Sequence, residues 1–224
     1  IYGLNIPARE ISGDFYDFFL HDDEVYFTLS DVSGKGVNAG MVMAKAITLF
    51  KIFARQKFKP NEILFEMNND LNETNPRGTF ITSIVGRYNL KLDLVEIANA
   101  GHQPALLRND KEFKEFPSSS VPLAVTRHKD ESVYKLESFK LNGGRIYCFT
   151  DGFSECMNEK KEEIGISGVK ELIIKHQNSL LKKELEDATE EIRLRSLKKE
   201  ISEKGIKENN DILDDDLTII GIGK

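Results

Sequence analysis

The sequence has 224 residues, of which 40% are apolar and 30% charged, and the 37 acidic residues outnumber the 31 basic ones. This length suits one domain with a sizeable buried core. A net charge of -6 argues against a nucleic-acid-binding protein, which would concentrate positive charge. No apolar run approaches the ~20 residues of a membrane-spanning helix, and no basic segment followed by an apolar one opens the chain as a secretion signal. We therefore expect a cytoplasmic domain that contacts neither membrane nor nucleic acid, with Cys148 and Cys156 as reduced thiols.

The first part of the chain predicts a strand followed by two helices. Residues 24–30 are rich in aromatic and β-branched side chains, which is typical of a strand. A glycine-containing loop over residues 31–36 separates this strand from residues 37–56, whose dense apolar pattern predicts a long and mostly buried helix. Pro60 then suits the first turn of a second helix.

The middle of the chain predicts a series of strands in close succession. Turn-forming residues separate them, and the turn at residues 142–144 is typical of a hairpin because adjacent residues there can take positive φ. Close succession indicates antiparallel pairing rather than repeated βαβ units. The predicted strands cover residues 79–90, 94–98, 105–108, 132–141 and 145–149.

The last part of the chain returns to helices before a final strand. A helix is predicted over residues 168–177. Residues 180–204 carry charges of both signs with one narrow apolar stripe, which predicts a solvated helix on the domain edge. A loose connection at residues 206–212 leads to an apolar strand over residues 217–222. This order of elements predicts an α/β layered domain, of the α+β kind, with helices outside the sheets.

Four aspartates, Asp14, Asp31, Asp151 and Asp215, lie beside predicted strands. Carboxylate oxygens suit Mg²⁺ or Mn²⁺, and a pair of such ions can activate water and hold a phosphoryl group for in-line attack. Asp is also common at turns and caps. The residues by themselves leave both interpretations open, because spacing along the chain does not show whether the four side chains meet.

Two other motifs suggest different chemistry. Residues 34–39 match a dinucleotide-binding pattern between a strand and a helix, which would make the protein an oxidoreductase, although Asp31 beside the loop would repel a pyrophosphate. His102 lies in a turn between two predicted strands, where it is either an acid/base group or a structural residue.

Five short motifs in order resemble a known family. They are Glu10-Ile11-Ser12-Gly13-Asp14-Phe15-Tyr16-Asp17, Ser30-Asp31-Val32-Ser33-Gly34-Lys35-Gly36, Asn99-Ala100-Gly101-His102, Thr150-Asp151-Gly152-Phe153-Ser154-Glu155 and Asp215-Asp216-Leu217-Thr218. Together they are similar to the bacterial SpoIIE/RsbU-type branch of the metal-dependent protein phosphatase 2C superfamily. The resemblance runs from about Pro7 to Ile222.

The resemblance implies a fold, a reaction and a set of site residues. The fold would be an αββα sandwich of two antiparallel sheets flanked by helices, and the reaction would be hydrolysis of phosphoserine or phosphothreonine by metal-bound water. Two divalent cations, Mn²⁺ or Mg²⁺, would be the cofactors. By motif position, the metal ligands would be Asp14, Asp31, Asp151, Asp215 and the carbonyl of Val32, with Glu155 and Asp216 as auxiliary metal residues and Arg9 as a phosphate-binding residue.

The resemblance also implies partners. The expected substrate is a phosphorylated anti-sigma-factor antagonist with a STAS fold. Residues 1–224 would form a single catalytic domain, the C-terminal part of a longer chain with an upstream sensor or response-regulator domain, and a homodimer is possible. The alternative is a pseudo-phosphatase that acts as a binding or regulatory module, although aspartate at all four ligand positions argues against it.

Overall fold

The computed structural model describes residues 1–8, 12–34, 36–75, 78–158, 160–178, 180–204, 213 and 215–223, with the side chains of 197–204 left out. Its ten strands fall into two antiparallel sheets of five strands each. Sheet I has the order β2-β3-β4-β5-β8 and sheet II the order β1-β10-β9-β6-β7. The strands are β1 Tyr2–Ile6, β2 Asp14–His21, β3 Glu24–Val32, β4 Ile81–Asn89, β5 Leu94–Ala100, β6 Ala105–Asn109, β7 Glu112–Phe116, β8 Glu137–Lys140, β9 Arg145–Phe149 and β10 Leu217–Gly223.

Helices cover the outer face of each sheet. On sheet I lie α1 Val37–Arg55 and α2 Pro60–Thr74, and their apolar side chains pack with those of β2–β5. On sheet II lie α4 Gly165–Lys175 and α5 Leu181–Lys204, and a single turn of helix, α3 Asp151–Ser154, follows β9. A third apolar core fills the space between the sheets. The structure is the αββα sandwich that the resemblance implies.

Helix α1 corrects one prediction from composition. In the part of the chain that the structure describes, it is the one helix long and apolar enough to cross a membrane, with a mean hydropathy of 1.4. The side chains of Ala46, Phe50 and Ala54 in α1 are fully buried in the core over sheet I. Only 33% of the apolar window of α1 is buried, however, so the prediction of a mostly buried helix is wrong.

Most of the predicted elements are present, with ends shifted by one to three residues. Three strands, β1, β2 and β7, were not predicted. Strands β1 and β7 are short and have few apolar side chains, whereas β2 is rich in aromatic residues and was overlooked. The predicted strand over 132–141 is wrong in its first half, where residues 131–133 form a 3₁₀ turn before β8. The predicted hairpin at 142–144 is also wrong, because β8 and β9 belong to different sheets.

Helix α5 follows its apolar stripe. Leu185, Ala188 and Ile192 are buried against sheet II, while the charged residues between them face outward. The predicted connection at 206–212 lies outside the described residues.

Candidate functional site

The candidate site lies at one end of the sandwich, one layer beyond the core between the sheets. Side chains two residues apart on a strand share a face. The residues two positions from the core residues Leu29 and Ile84, towards this end, therefore point into the same gap between the sheets. On sheet I these are Asp31 on β3, Thr82 on β4 and, in register with Asp31, Asp14 on β2. The gap therefore changes from apolar to acidic within one residue pair.

Asp14 is the most deeply buried carboxylate of this end, with 4% of its surface exposed. The hydroxyl of Thr150, directly after β9 in sheet II, donates a hydrogen bond of 2.6 Å to Asp14 Oδ2. Burial, together with the charges of Asp31 and Asp216, raises the pKa of Asp14 to about 8, against the lowering effect of the Thr150 and Thr218 hydroxyls. A carboxylate in this setting gains strongly from a nearby cation.

Asp14 and Asp31 face each other directly across β2 and β3. Like charges at directly opposed positions destabilise an antiparallel pair, so this arrangement costs stability unless something offsets the charge. Such a local conflict is expected at a functional site rather than in a scaffold.

Gly13 brings the two strands into close contact beside this pair. Its carbonyl accepts a hydrogen bond of 3.2 Å from the Val32 N–H, and a Cβ at Gly13 would lie only 2.9 Å from the Val32 carbonyl oxygen. A side chain at position 13 would therefore displace the carbonyl that the resemblance names as a metal ligand.

Asp151 and Asp215 reach the same end from sheet II. Asp151 begins α3, directly after β9, and Asp215 precedes β10 by two residues. A Cβ at Gly152 would lie 2.3 Å from the carbonyl oxygen of Asp216, so glycine there allows the two loops to touch. Glu155, at the end of α3, is exposed, and its pKa is raised by partial burial and by the charges of Asp151, Glu163 and Asp215.

Asp216 is buried, and hydrogen-bond donors of this chain occupy both of its carboxylate oxygens. Oδ1 accepts from the Ala8 N–H at 2.7 Å, and Oδ2 accepts from the Gly13 N–H at 2.8 Å and the Ser12 hydroxyl at 2.7 Å. These contacts tie Asp216 to residues before β2, and its role as an auxiliary metal residue stays a prediction.

His102 is buried in the turn after β5. Its Nδ1 lies 2.7 Å from the Thr82 hydroxyl, and burial lowers its pKa to about 4, so it is neutral at pH 7. Asn99 holds the turn, since its Oδ1 accepts from the His102 N–H at 2.9 Å and its amide donates to the carbonyl of Gln103 at 3.1 Å. These contacts favour the structural interpretation of His102.

The glycine loop after β3 does not form a dinucleotide site. A dinucleotide-binding turn joins parallel strands through a helix, whereas β3 pairs antiparallel with both β2 and β4. Arg9, named as the phosphate-binding residue, lies outside the described residues. Thr150 and Ser12 were missed by the sequence analysis, and their positions inside the quoted motifs were the available signal.

The donors at this end fit a hard divalent cation, because every candidate ligand is a carboxylate or a carbonyl oxygen. The hydrogen bond of 2.6 Å to the Asp14 carboxylate comes from the neutral hydroxyl of Thr150, and Asp31 opposite it carries a like charge. Within the described ranges, no three His, Cys, Asp or Glu side chains already form a group that could hold one ion. Asp14 lies opposite Asp31 on sheet I, and Asp151 and Asp215 lie in loops of sheet II at the same end.

A separate cleft lies away from this site. It has a volume of about 470 Å³ and lies near Arg108, Arg145 and Asn178, at the far end of β6 and β9. Beneath it, Glu184 accepts from Arg108 Nη1 at 2.9 Å, from Arg145 Nη1, from the Asn178 N–H at 3.1 Å and from the Tyr147 hydroxyl. We call Arg108, Arg145 and Glu184 the arginine–glutamate cluster, and we interpret it as structural because its opposite charges meet one another.

Comparison with solved structures places this fold among protein phosphatase 2C-like phosphatase domains. The SiaA-PP2C domain of Pseudomonas aeruginosa superposes with a TM-score of 0.81 at 18% identity, covering 100% of this chain and 85% of that one. RsbX in complex with magnesium superposes with a TM-score of 0.68 at 18% identity, covering 98% and 91%. At these identities the likeness concerns the fold.

The chain belongs to the SpoIIE family. The family model described as Stage II sporulation protein E (SpoIIE) matches residues 21–223. The phosphoserine phosphatase RsbU of Bacillus subtilis (strain 168) is 24% identical over 193 residues, which are 81% of this chain and 58% of RsbU. This chain therefore spans a little more than half the length of that relative.

Proposed function

We propose that this chain is the catalytic domain of a divalent-cation-dependent phosphatase that hydrolyses phosphoserine or phosphothreonine on a protein. The observation that carries the proposal is the buried Asp14 carboxylate, which faces Asp31 across two strands and has a pKa raised to about 8. Membership of the SpoIIE family and the phosphoserine phosphatase activity in RsbU's name support the same reaction.

Asp14, Asp31, Asp151, Asp215 and the Val32 carbonyl would hold two cations, Mn²⁺ or Mg²⁺. Such cations supply activated water and stabilise charge on a transferring phosphoryl group. Thr150 holds one oxygen of Asp14 through the 2.6 Å bond and so leaves the other oxygen for the site. Burial of Asp14 against the inter-sheet core limits water on its inner side, which strengthens its attraction for a cation.

The substrate and setting of the domain follow from the family resemblance. We propose a STAS-type anti-sigma-factor antagonist in its phosphorylated form as the substrate. An upstream sensor or response-regulator domain, a cytoplasmic location and a homodimer belong to the same proposal. Arg9 would contact the substrate phosphate and Glu155 would assist with an additional cation.

The test is hydrolysis of p-nitrophenyl phosphate with Mn²⁺, in the presence and absence of a chelator. We expect activity only with the cation, and a loss of at least about 100-fold in Asp31→Ala and Asp151→Ala. Asp70→Ala, on the outer helix α2 and ion-paired with Lys45, is the matched control and should keep full activity.

Two results would contradict this proposal. Activity that survives chelation, or that persists in both active-site variants, excludes cation-dependent hydrolysis by these residues. A folded, cation-loaded protein that hydrolyses neither p-nitrophenyl phosphate nor a phosphoprotein would instead be a pseudo-phosphatase.

A further inference from the structure

The Asp216 carboxylate bonds to both ends of a short segment that precedes β2. Ala8 donates its N–H to Oδ1 at 2.7 Å, while Gly13 and Ser12 donate to Oδ2 at 2.8 and 2.7 Å. The Asp14 N–H also points to Oδ2 at a longer 3.5 Å. Hydrogen bonds to an ionised acceptor are roughly twice as strong as neutral ones, so these contacts fix the backbone directly before Asp14.

The backbone of Asp216 connects this segment to the other two loops of the site. Its N–H donates to Asp215 Oδ1 at 2.9 Å. Its carbonyl oxygen packs against Gly152, the residue after Asp151, so closely that a Cβ at Gly152 would lie 2.3 Å from it. One residue therefore contacts the loops that carry Asp14, Asp151 and Asp215.

We propose that Asp216 is a positioning residue, and that its carboxylate holds Ala8, Ser12 and Gly13 in a clasp so that Asp14 stands opposite Asp31. Its two oxygens are engaged by the protein itself and do not bind a cation. The catalytic consequence of this clasp rests on the proposed function, whereas the clasp itself rests on the hydrogen bonds alone.

The chemistry of the clasp calls for a carboxylate. Its two oxygens accept from three strong donors, two of them backbone N–H groups. An asparagine offers one oxygen and one NH₂ group, and the NH₂ would face a donor. We therefore expect Asp216→Asn to lose the bond on one side, either at Ala8 or at Gly13 and Ser12, and Asp216→Ala to lose both sides.

The first measurement is amide hydrogen exchange in ¹⁵N-labelled, chelator-treated protein. The amides of Ala8 and Gly13 should be protected in the wild type. Their exchange should accelerate at least about tenfold in Asp216→Ala. In Asp216→Asn only one of the two amides should exchange faster, and this variant provides the test if Asp216→Ala does not fold. Asp215→Ala removes the neighbouring carboxylate and should leave both amides protected.

A second control separates the clasp from general loss of stability. Leu64→Ala shortens a fully buried side chain on α2, in the core over sheet I, and lowers stability in a cluster that does not include Ala8. Ala8 and Gly13 should exchange no faster in this variant than its global unfolding allows. Equal protection of both amides in the wild type and Asp216→Ala would overturn the clasp.

The second measurement separates positioning from cation binding. At saturating Mn²⁺, Asp216→Ala should lower kcat for p-nitrophenyl phosphate at least about tenfold while binding as many Mn²⁺ ions as the wild type. Asp215→Ala should bind fewer ions. Loss of a bound ion in Asp216→Ala, with both amides still protected, would show that Asp216 is a metal ligand and would overturn the proposal. A wild type without phosphatase activity would contradict the proposed function, and the exchange experiment would still decide the clasp.

Discussion

Two buried groups of ionisable side chains lie near the two ends of β9, and they differ in the charges that surround the buried carboxylate. In the arginine–glutamate cluster, Glu184 has no exposed surface and meets two guanidinium groups. At the other end, Asp14 is 4% exposed and meets Asp31 and Asp216, which carry the same charge. In the first group opposite charges meet within the chain, whereas the Asp14 carboxylate lies beside two groups of like charge.

This difference separates a structural cluster from a functional one. A buried charge without a partner is costly, and a protein that keeps one must gain from it in another state. The arginine–glutamate cluster joins α5 to sheet II through ion pairs of Glu184 with Arg108 and Arg145. If the proposed function holds, the acidic end costs stability in the metal-free protein and a bound cation restores it.

The largest expected effect is on the balanced cluster. Glu184→Ala leaves two nearly buried guanidinium groups without their carboxylate, and removal of one partner of a buried pair typically costs about 3–5 kcal/mol. Urea denaturation in the presence of a chelator measures this loss in the free energy of unfolding. A loss below about 1 kcal/mol would mean that solvent already reaches these arginines and that the comparison fails. Lys170→Ala, which breaks the exposed ion pair with Glu115, should change stability by less than about 1 kcal/mol.

A change of opposite sign is expected at the acidic end. Because the folded-state pKa of Asp14 is raised from 3.8 to about 8, its contribution to stability is complete below pH 4 and is lost as pH rises to about 8. Asp14→Asn has no ionisable group and so removes this pH-dependent loss of stability, while its amide oxygen can still accept the Thr150 hydrogen bond. The variant should stabilise the metal-free protein by about 1–3 kcal/mol at pH 7.

Denaturation of Asp14→Asn and the wild type at pH 4 and pH 8, with a chelator present, measures this effect. The gain should be larger at pH 8 than at pH 4. With Mn²⁺ present the order should reverse, because the cation stabilises the wild type by binding its carboxylate. A variant that is less stable than the wild type at both pH values would contradict the charge conflict.

The smallest expected effect concerns the hydrogen bond between the sheets. Thr150→Val removes the donor to Asp14 and the acceptor of the Thr218 N–H, which bonds to Thr150 Oγ1 at 3.1 Å. The expected loss is about 1–2 kcal/mol, and the pKa of Asp14 should rise further because this hydroxyl lowers it. The pH midpoint of Mn²⁺-dependent stabilisation reports that shift. Thr150→Ser keeps the hydroxyl and should match the wild type in both measurements.

The long periodic elements and the ligand types could be predicted from the sequence. Helix α1, helix α2 and the apolar stripe of α5 follow directly from periodicity, and the five motifs named the family and the four aspartates. Strand β1 was missed because a short strand with few apolar side chains shows little apolar signal, whereas β2 was overlooked although it is rich in aromatic residues. The sheet membership of β8 and β9 was missed because a turn sequence does not show which strands it joins.

Asp216 shows where sequence-based prediction of the site reaches its limit. Its position beside Asp215 suggested a second metal residue, and only the fold brings Ala8, Ser12 and Gly13 to its carboxylate across more than 200 residues of chain. By itself, the sequence determined which residues carry carboxylate oxygens. It also determined the two-residue alternation that points strand side chains towards the gap between the sheets. The tertiary structure decided which of those carboxylates meet one another and which are satisfied by backbone N–H groups. Strand register and loop contact are non-local, and the free energy of a buried charge depends on its neighbours in space.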